Sequence, residues 1–414
     1  MSAVLNSLFY VFLFLSLYVQ VFLLVTFIEN RKKIVIRKGQ IKLGHYPTVT
    51  VMVPCWNEEK TVARTVESLL AMNYPKDKLT LFVIDDGSTD STWSVIQQFN
   101  KYENVRTFTK ENGGKHTALN LGLKETTSEF VACLDADSFA DPESLIRIMS
   151  YFEATPDVMA VSPSVIVESP QSLIQKAQKA EYDMSVYIKK MLGFLGAIHV
   201  TPGPLTVFKK KVFDDLGPYR KAHNTEDMEI AYRMQKNGYK IEQCNDAYIY
   251  TNTPKTVKKL FKQRVRWIYG FINNTIDYRR LLFKKKYGHF SFFTVPAGIV
   301  SIISATYLFG RMINQFSVSA QSKILALQTT GIYLPESAYN FDLYFFNTGV
   351  LLFITVILFT LLITSIIIGK WMSEDRRLSP LNILYFIVIY SVVAPFWLMK
   401  ALYNTIFAQK PSWR

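Results

Sequence analysis

Carboxylates cluster in the stretch Asn224-Thr225-Glu226-Asp227-Met228-Glu229, beyond the middle of the chain. A carboxylate acts as a general base when it lies within hydrogen-bond reach of the hydroxyl that it deprotonates. We predict that Asp227 is such a base and that Glu226 is the carboxylate that orients it. The alternative is purely structural, because a Thr at a helix N-cap with acids in the first turn suits the helix dipole. Both interpretations can hold at once.

A second motif, Gln263-Arg264-Val265-Arg266-Trp267, follows further along the chain. The guanidinium of Arg266 could neutralise the charge that develops on a departing diphosphate. The indole of Trp267 offers a flat face on which a sugar ring can stack. Together the two motifs predict a base and a clamp for a phosphorylated donor.

Polar residues also follow two predicted strands, in Val53-Pro54-Cys55-Trp56-Asn57-Glu58 and in Asp85-Asp86-Gly87-Ser88-Thr89-Asp90. An acid at a strand end can accept a hydrogen bond from a uracil N–H or a ribose hydroxyl, and an aromatic ring such as Trp56 can pack against a base. These residues predict a nucleotide pocket, to which Lys115 would add a cation for phosphate or base. Each stretch alone is equally typical of an ordinary turn or surface loop.

Asp135 and Asp137 flank a single residue at the end of another predicted strand. Strand alternation predicts that both carboxylates point to one side, where they repel each other unless a cation joins them. Mg²⁺ or Mn²⁺, held by one or two carboxylates and a diphosphate, is the expected cation. The structural alternative is a solvated loop before a helix with Asp141 at its N-cap, which accounts for Asp141 better than for the other two.

The elements that must position these residues alternate between β-rich and helical runs from about Pro47 to Ile249. This alternation predicts an α/β sheet, whose ligands bind beyond the carboxyl ends of the strands. Helices are predicted from Lys60 to Met72 and from Thr92 to Phe99. The predicted strands are Thr48 to Val53, Leu79 to Asp85, Val105 to Thr109, Phe130 to Asp135 and Val158 to Val167.

Both ends of the chain are apolar enough to cross a membrane. Of the 414 residues, 49% are hydrophobic, and these concentrate outside the predicted sheet. An uncharged run from Ala3 to Phe27 is long enough to span a hydrocarbon core of about 30 Å. It lacks the preceding basic region of a cleaved signal peptide, so we expect it to remain as a span. Further spans are predicted from Phe290 to Met312, Leu343 to Ile368 and Leu381 to Met399.

Basic residues set the predicted orientation of a multi-pass protein in the cell membrane. Those that follow the first span place the sheet-containing domain in the cytoplasm; they are Arg31, Lys32, Lys33, Arg37, Lys38 and Lys42. Three later spans then put the C-terminus outside, whereas Lys400, Lys410 and Arg414 favour the inside, and the sequence leaves this open. The basic and aromatic segment from Lys255 to Lys286 predicts interfacial helices on anionic lipid.

The net charge of +14 does not indicate a nucleic-acid partner, because the basic residues gather beside the apolar spans. Cys55, Cys133 and Cys244 have no metal-ligand spacing and are predicted to be reduced core thiols. The expected organisation is a transmembrane helix at 1–28, a basic cytoplasmic linker at 29–46, an α/β domain at 47–250, interfacial amphipathic helices at 251–287 and a membrane region of about three spans at 288–414.

A family resemblance is carried by four motifs that occur in order between membrane spans. They are Asp86-Gly87-Ser88, Asp135-Ala136-Asp137, Thr225-Glu226-Asp227 and Gln263 to Trp267. From about Pro47 to Tyr269 the chain resembles the processive family 2 glycosyltransferases, which include cellulose, chitin, hyaluronan and poly-N-acetylglucosamine synthases. The resemblance implies a GT-A fold, which is α/β and Rossmann-like, a UDP-sugar donor, an inverting transfer to a growing β-linked polysaccharide, and Mg²⁺ or Mn²⁺. The size of the chain and its one leading span are most similar to the poly-N-acetylglucosamine type, so UDP-N-acetylglucosamine is the expected donor.

The resemblance also assigns roles to residues of this chain. Asp227 is the catalytic base, Asp137 the chief metal ligand and Asp135 lies nearby. The implied donor contacts are Pro54, Trp56, Glu58, Asp85, Asp86, Lys115, Asp135, Gln263, Arg266 and Trp267. The implied acceptor contacts are Gly203, Thr225, Glu226 and Trp267. Gln178 to Tyr187 is similar to a helix near the acceptor entrance. Membrane lipids and a small accessory membrane subunit are further expected partners. The spans are expected to assist passage of the product.

Two other classes of protein remain open from the sequence. A lipid glycosyltransferase would transfer one sugar to a diacylglycerol, ceramide-like or polyprenyl acceptor with a similar base and a similar Arg-Trp motif. Gln263 and the number of spans favour the polymer. A membrane scaffold without catalytic activity is the other alternative, and the intact acids at Asp86, Asp135, Asp137 and Asp227 argue against it.

Overall fold

The computed structural model describes residues 2–34, 41–330, 350–373 and 379–411, which form one eight-stranded mixed sheet and the helices around it. The strands are β1 (Val49–Cys55), β2 (Leu79–Asp85), β3 (Val105–Thr109), β4 (Phe130–Cys133), β5 (Ser138–Ala140), β6 (Val158–Val167), β7 (Thr206–Lys209) and β8 (Lys240–Thr251). The α-helices are α1 (Ser2–Asn30), α2 (Val62–Leu70), α3 (Thr92–Gln97), α4 (Lys115–Glu125), α5 (Ser144–Ala154), α6 (Leu173–Phe194), α7 (Lys211–Leu216), α8 (Glu226–Lys236), α9 (Val257–Asp277), α10 (Val295–Thr330), α11 (Val350–Met372) and α12 (Pro380–Ile406).

The sheet has the strand order β3-β2-β1-β4-β7-β6-β8-β5. Its first half is parallel, because β1 pairs with both β2 and β4, and β2 pairs with β3, in the same direction. β7 runs antiparallel to β4 and to β6, which makes the sheet mixed. The carboxyl ends of β1, β2 and β4 therefore meet at one edge, where ligands of α/β sheets bind. This arrangement confirms the predicted Rossmann-like α/β fold.

The core beneath that edge is built from the apolar strands and the helices that cover them. β1 and β2 are apolar nearly throughout and buried on both faces, as parallel strands with helices on both sides must be. Val51, Leu81, Leu69 and Ile148 belong to one cluster of fully buried residues that joins these strands to α2 and α5. Such close packing gives the residues at the strand ends a rigid base.

The predicted strands at Leu79 to Asp85, Val105 to Thr109 and Val158 to Val167 have the observed bounds. The fourth ends earlier than predicted, because β4 stops at Cys133. Asp135 and Asp137 therefore lie in the turn between β4 and β5, and the prediction that strand alternation orients them is wrong.

One capping prediction is wrong and the other is confirmed in its position. Helix α5 begins at Ser144 with Glu143 at its N-cap, so Asp141 lies before the cap; its carboxylate accepts a hydrogen bond from the Glu143 amide at 2.9 Å. Thr225 occupies the N-cap of α8 with Glu226, Asp227 and Glu229 in the first turn, although its side chain makes no capping hydrogen bond. The Thr225 hydroxyl is instead committed to a contact with another helix, described below.

Four helices are long and apolar enough to cross a membrane, judged by length and composition within the described residues. They are Ser7–Lys33, Phe290–Thr329, Leu352–Met372 and Pro380–Ile406. The second extends well past Met312, where the sequence pattern predicted its end. Parts of the membrane predictions lie outside the described residues, namely Arg37, Lys38, residues 343–349 and Arg414.

The chain is divided into two compact units. The first comprises residues 1–22 and 297–364, and in it the rings of Phe12 and Tyr307 pack with centroids 5.2 Å apart. The second comprises residues 23–296 and 365–414 and contains the sheet and all predicted site residues. Within it, α12 packs against both α6 and α9.

Candidate active site

The turn after β2 is held by the two aspartates that follow the strand. Asp85 accepts hydrogen bonds from the Ser88 amide and the Thr109 hydroxyl, each at 3.2 Å. Asp86 is buried and accepts from the Gly114 amide at 2.8 Å, and it forms an ion pair with Lys110 at 2.6 Å. These contacts fix the loop before α4 against the strand end, so the two acids that are predicted to contact the nucleotide also hold this loop in place.

Asn57 joins the ends of β1 and β2. Its backbone amide donates to the Ser88 hydroxyl at 2.9 Å, and its side-chain oxygen accepts from the Thr89 amide at 2.8 Å. Asn57 has a positive φ of 55°, which Asn tolerates better than most residues. The half-buried side chains of Pro54, Trp56 and Glu58 adjoin this contact and lie at the same edge of the sheet.

Lys115 is a largely buried cation shared by two carboxylates. Its ammonium lies 2.6 Å from Asp135 and 3.3 Å from Glu226. Burial alone would lower the pKa of Lys115, but the attraction of Asp135 and Glu226 is stronger and raises this pKa well above its usual value. Lys115 is therefore charged and already committed to the protein's own acids. The loop at Gly203 approaches this pair so closely that a Cβ there would lie 2.7 Å from both Asp135 Oδ2 and Lys115 Nζ.

Asp137 has no comparable partner. The hydroxyl of Ser138 donates a long hydrogen bond to its carboxylate at 3.4 Å, and among the described residues no lysine or arginine forms an ion pair with it. Burial, and then repulsion by Asp135, raise the pKa of Asp137 to about 6. A half-buried carboxylate without a protein cation among the described residues fits a hard divalent ion at this position. The described residues include no group of three or more His, Cys, Asp and Glu that could hold a metal, so the other ligands would come from a diphosphate and water.

Asp227 lies in the first turn of α8. Its carboxylate accepts from the Met228 amide at 2.9 Å, and its carbonyl accepts from the Thr201 hydroxyl at 2.8 Å. Burial, followed by the charge of Glu226, raises the pKa of Asp227 to about 6, although Lys115 and Arg266 oppose this effect. A carboxylate of this kind is ionised at pH 7 and is a stronger base than an ordinary Asp.

Helix α9 lies very close to the start of α8. A Cβ at Gly270 would lie 2.3 Å from the Thr225 side chain, so only glycine permits this approach. The Thr225 hydroxyl donates to the Ala222 carbonyl at 3.0 Å and accepts from the Asn274 amide at 2.9 Å. These contacts hold α9, which carries the Gln263-to-Trp267 motif, against the start of α8, which carries the acids.

The motif residues on α9 have different environments. Arg266 donates to the Asn224 carbonyl at 2.9 Å and thereby braces the segment before the acids. The side-chain oxygen of Gln263 is buried and has no hydrogen-bond partner in the part of the chain that the structure describes. Trp267 packs under the guanidinium of Arg264, 4.2 Å from its ring centroid. An unsatisfied buried oxygen is costly, so Gln263 is well suited to receive a hydrogen bond from a bound ligand.

Arg264, to which the sequence analysis gave no role, connects the motif to two other helices. Its guanidinium lies 2.6 Å from Glu181 on α6, and the hydroxyl of Tyr390 on α12 donates to the same carboxylate at 2.5 Å. The three residues tie the clamp to a membrane-capable helix. The spacing of Arg264 and Trp267, one helical turn apart, was the available signal.

Lys189 on α6 is a second residue that the sequence analysis missed. Burial lowers its pKa to about 8, although the negative charge of Asp227 acts in the opposite direction. Burial, and then the positive charge of Lys189, lower the pKa of His199 to about 4. Neither residue belongs to a recognisable motif, so no sequence signal could have placed these groups in the electrostatic environment of Asp227.

Comparisons with known proteins agree with this geometry. A family model described as glycosyltransferase like family 2 matches residues 47–270, which is more than half of the chain. Poly-beta-1,6-N-acetyl-D-glucosamine synthase of Staphylococcus epidermidis is 27% identical over 355 residues, covering 85% of this chain and 81% of that protein. The enzyme of the same name from Staphylococcus aureus (strain COL) is 32% identical over 237 residues, covering 56% of this chain and 57% of that protein.

A solved structure supports the fold. The mannosyltransferase PcManGT from Pyrobaculum calidifontis, in complex with GDP-Man and Mn²⁺, superposes with a TM-score of 0.60 and covers 96% of this chain and 99% of that one. Its sequence is 18% identical, so the likeness concerns the fold alone.

Proposed function

Since this chain belongs to the glycosyltransferase-like family 2 and is a hexosyltransferase, we propose that it transfers N-acetylglucosamine from UDP-N-acetylglucosamine to the end of a growing β-linked polysaccharide. The observation that carries the proposal is the position of Asp227 at the start of α8. Burial raises the pKa of its carboxylate, and the nearby charges of Lys115 and Arg266 favour its ionised form. The names of relatives that cover most of the chain support the choice of sugar and polymer.

The proposed reaction needs one base and no covalent intermediate. The Asp227 carboxylate takes the proton of the terminal acceptor hydroxyl, and that oxygen bonds to C1 of the donor sugar from the face opposite UDP. The bond between C1 and the diphosphate oxygen breaks, and UDP leaves with both electrons. The configuration at C1 inverts, so the product has a β-linkage. Glu226 keeps Lys115 in place beside the base.

The donor would lie at the edge formed by β1, β2 and β4. Asp85, Asp86 and the half-buried Trp56 are proposed to contact the uridine. Asp137, with Asp135 beside it, would hold Mg²⁺ or Mn²⁺, which when bound neutralises diphosphate charge. Lys115 is proposed to hold Asp135 in position by its ion pair and not to contact the diphosphate directly, because two carboxylates already bind its ammonium.

Arg266 and Trp267 would close the other side of the site. Arg266 is held in place by its hydrogen bond to the Asn224 carbonyl. In this position its positive charge favours the ionised form of Asp227. Trp267 lies one turn from Arg264 and is proposed to stack on the acceptor sugar. Gly203 and Thr225 complete the proposed acceptor side.

The proposed location is the cell membrane, with the catalytic domain at 47–250 in the cytoplasm and the four apolar helices assisting passage of the product. Basic residues after the first span support this orientation. It is tested with a tag beside Gly44 and another after Gln321, which the proposal puts on the inside and the outside respectively. Labelling of both tags from one side by an impermeant reagent would contradict it.

The function is tested with protein reconstituted in lipid and supplied with radiolabelled UDP-N-acetylglucosamine. We expect a product that is excluded by size and that contains labelled N-acetylglucosamine. Thin-layer analysis of the same reaction detects a lipid-sized product. A single glycosylated lipid without polymer would favour the lipid transferase, and no transfer from any UDP-sugar would favour the scaffold.

A further inference from the structure

A large cavity opens beside the start of α8, outside the residues that the proposed reaction uses. Its volume is about 890 Å³. Residues from the segment before α8, from the end of α9 and the turns after it, and from the end of the chain line it. We call it the basic pocket, because its lining includes Arg220, Lys221, Lys236, Arg279, Arg280 and Lys410.

The basic pocket carries an excess of positive charge that its own acids do not neutralise. Its two carboxylates, Glu229 and Asp277, are already engaged: Glu229 by Arg233 at 2.8 Å and by Arg220 of the pocket at 3.5 Å, and Asp277 by His223 at 2.8 Å. They are outnumbered by the pocket's lysines and arginines. Arg280 and Lys410 form no hydrogen bond or ion pair with any residue that the structure describes. A cavity with this balance attracts a multiply charged or phosphate-bearing anion.

The position of the basic pocket indicates where that anion comes from. Tyr287 precedes the membrane-capable helix that begins at Phe290, and Lys410 follows the one that ends at Ile406. The start of the helix at Phe290, directly after Tyr287, is the level of lipid headgroups, and the cavity lies beside it. Tyrosines at that level are typical of the membrane interface, and Tyr269 and Tyr278 also line the cavity.

The wall of the basic pocket leads directly to the proposed base. Ala222, His223 and Asn224 have φ values of 39°, 57° and 62°, a left-handed conformation that residues other than glycine adopt rarely. This segment continues into Thr225-Glu226-Asp227. Arg266 donates to the Asn224 carbonyl, so a group bound in the cavity would touch the segment that positions both the base and the clamp.

We propose that the basic pocket binds the phosphate headgroup of an anionic phospholipid and that the bound headgroup holds the segment Ala222–Asn224 in the conformation needed for sugar transfer. The headgroup phosphate would lie among Arg279, Arg280 and Lys410. Binding is independent of the proposed function, whereas the effect on rate rests on it.

The test uses the full-length protein in nanodiscs of phosphatidylcholine with increasing phosphatidylglycerol. Arg280→Gln with Lys410→Gln removes two charges from the pocket. Lys284→Gln with Lys285→Gln is the matched control, because it removes two charges from exposed residues close in sequence to Arg280 that do not line the pocket. Retained phosphatidylglycerol is counted by native mass spectrometry, and transfer from UDP-N-acetylglucosamine is measured in parallel.

We expect the pocket variant to need roughly 5-fold more phosphatidylglycerol for each charge removed, for both retention and rate, and the control to behave as the parent. Equal losses of lipid retention in the two variants would mean that the basic surface as a whole attracts anionic lipid. That result would refute binding in the basic pocket. A soluble source is tested with glycerol phosphate in detergent; if it restores the rate as well as phosphatidylglycerol does, the assignment to lipid is wrong. Retention without transfer by any of the proteins would instead refute the proposed function and leave the binding site standing.

Discussion

The ammonium of Lys115 lies 2.6 Å from the carboxylate of Asp135. Because the same ammonium also reaches Glu226, one largely buried cation connects the turn that would bind the metal with the helix that carries the proposed base. The turn after β4 and the first residues of α4 and α8 thus meet in one ion-paired group. This relationship makes the two halves of the site electrostatically dependent on each other.

Replacing Lys115 by Met tests that dependence. The change leaves the buried Glu226 and the half-buried Asp135 without their cation, which should lower the free energy of unfolding by about 3 kcal/mol, the low end for a broken buried pair because Asp135 is 32% exposed. Lys115 also lowers the pKa of Asp227, so its removal should move the acid limb of the rate profile to higher pH. Lys124→Met, on the exposed face of the same helix, is the control. An unchanged denaturation midpoint and an unchanged pH profile would mean that the ion pairs are unimportant.

The proposed base is tested with Asp227→Asn, which keeps the shape of the side chain and removes its basicity. Turnover should fall roughly 10²- to 10⁴-fold, while the affinity for UDP measured by calorimetry changes little. Asp214→Asn changes an exposed aspartate on α7 and should retain full turnover. Full activity of Asp227→Asn would remove this residue from the mechanism.

The pH dependence of turnover follows from the raised pKa of Asp227. Only the ionised carboxylate can accept a proton, and burial moves its pKa up to about 6. Below that pH the rate should fall about tenfold per pH unit, and above it the rate should level off. An ordinary Asp would place this limb near pH 4. Residual turnover of Asp227→Asn should lack the limb, and a limb that survives in this variant would belong to another group.

The metal is tested by chelation and by Asp137→Asn. EDTA should abolish transfer by the parent protein, and restored Mg²⁺ or Mn²⁺ should return it. Asp137→Asn should weaken the binding of UDP in the presence of either ion but not in its absence. Asp141→Asn, in the loop that follows, is the matched control, because its carboxylate serves the backbone amide of Glu143. Transfer that survives EDTA would show that protein cations neutralise the diphosphate.

Processivity is tested with Trp267→Ala. Loss of the indole should remove about 1–3 kcal/mol of stacking, by analogy with bases on aromatic side chains. The growing chain would then leave sooner, so the products should be shorter while the base and the metal site remain intact. Trp267→Phe keeps an aromatic ring and should give chains of intermediate length. Product lengths are read by electrophoresis or mass spectrometry, and equal lengths from all three proteins would exclude Trp267 as the platform.

The sequence by itself determined the fold class, the family and the order of the motifs. These properties depend on local patterns: apolar runs of strand length, polar residues at the strand ends, and uncharged runs long enough to cross a membrane. The strands β2, β3 and β6 were predicted with their observed bounds for this reason. Cys55, Cys133 and Cys244 are free and buried, as their spacing and surroundings indicated.

Only the tertiary structure decided which charges meet. Lys115 was predicted to supply a cation for a phosphate or a base. In the structure its ammonium forms ion pairs with Asp135 and Glu226, which lie far from it in the sequence. The contact of Gly270 with Thr225 and the link from Arg264 through Glu181 to Tyr390 likewise join distant segments. Such contacts depend on how helices and strands pack, and periodicity along one segment carries no information about the partner that another segment will supply.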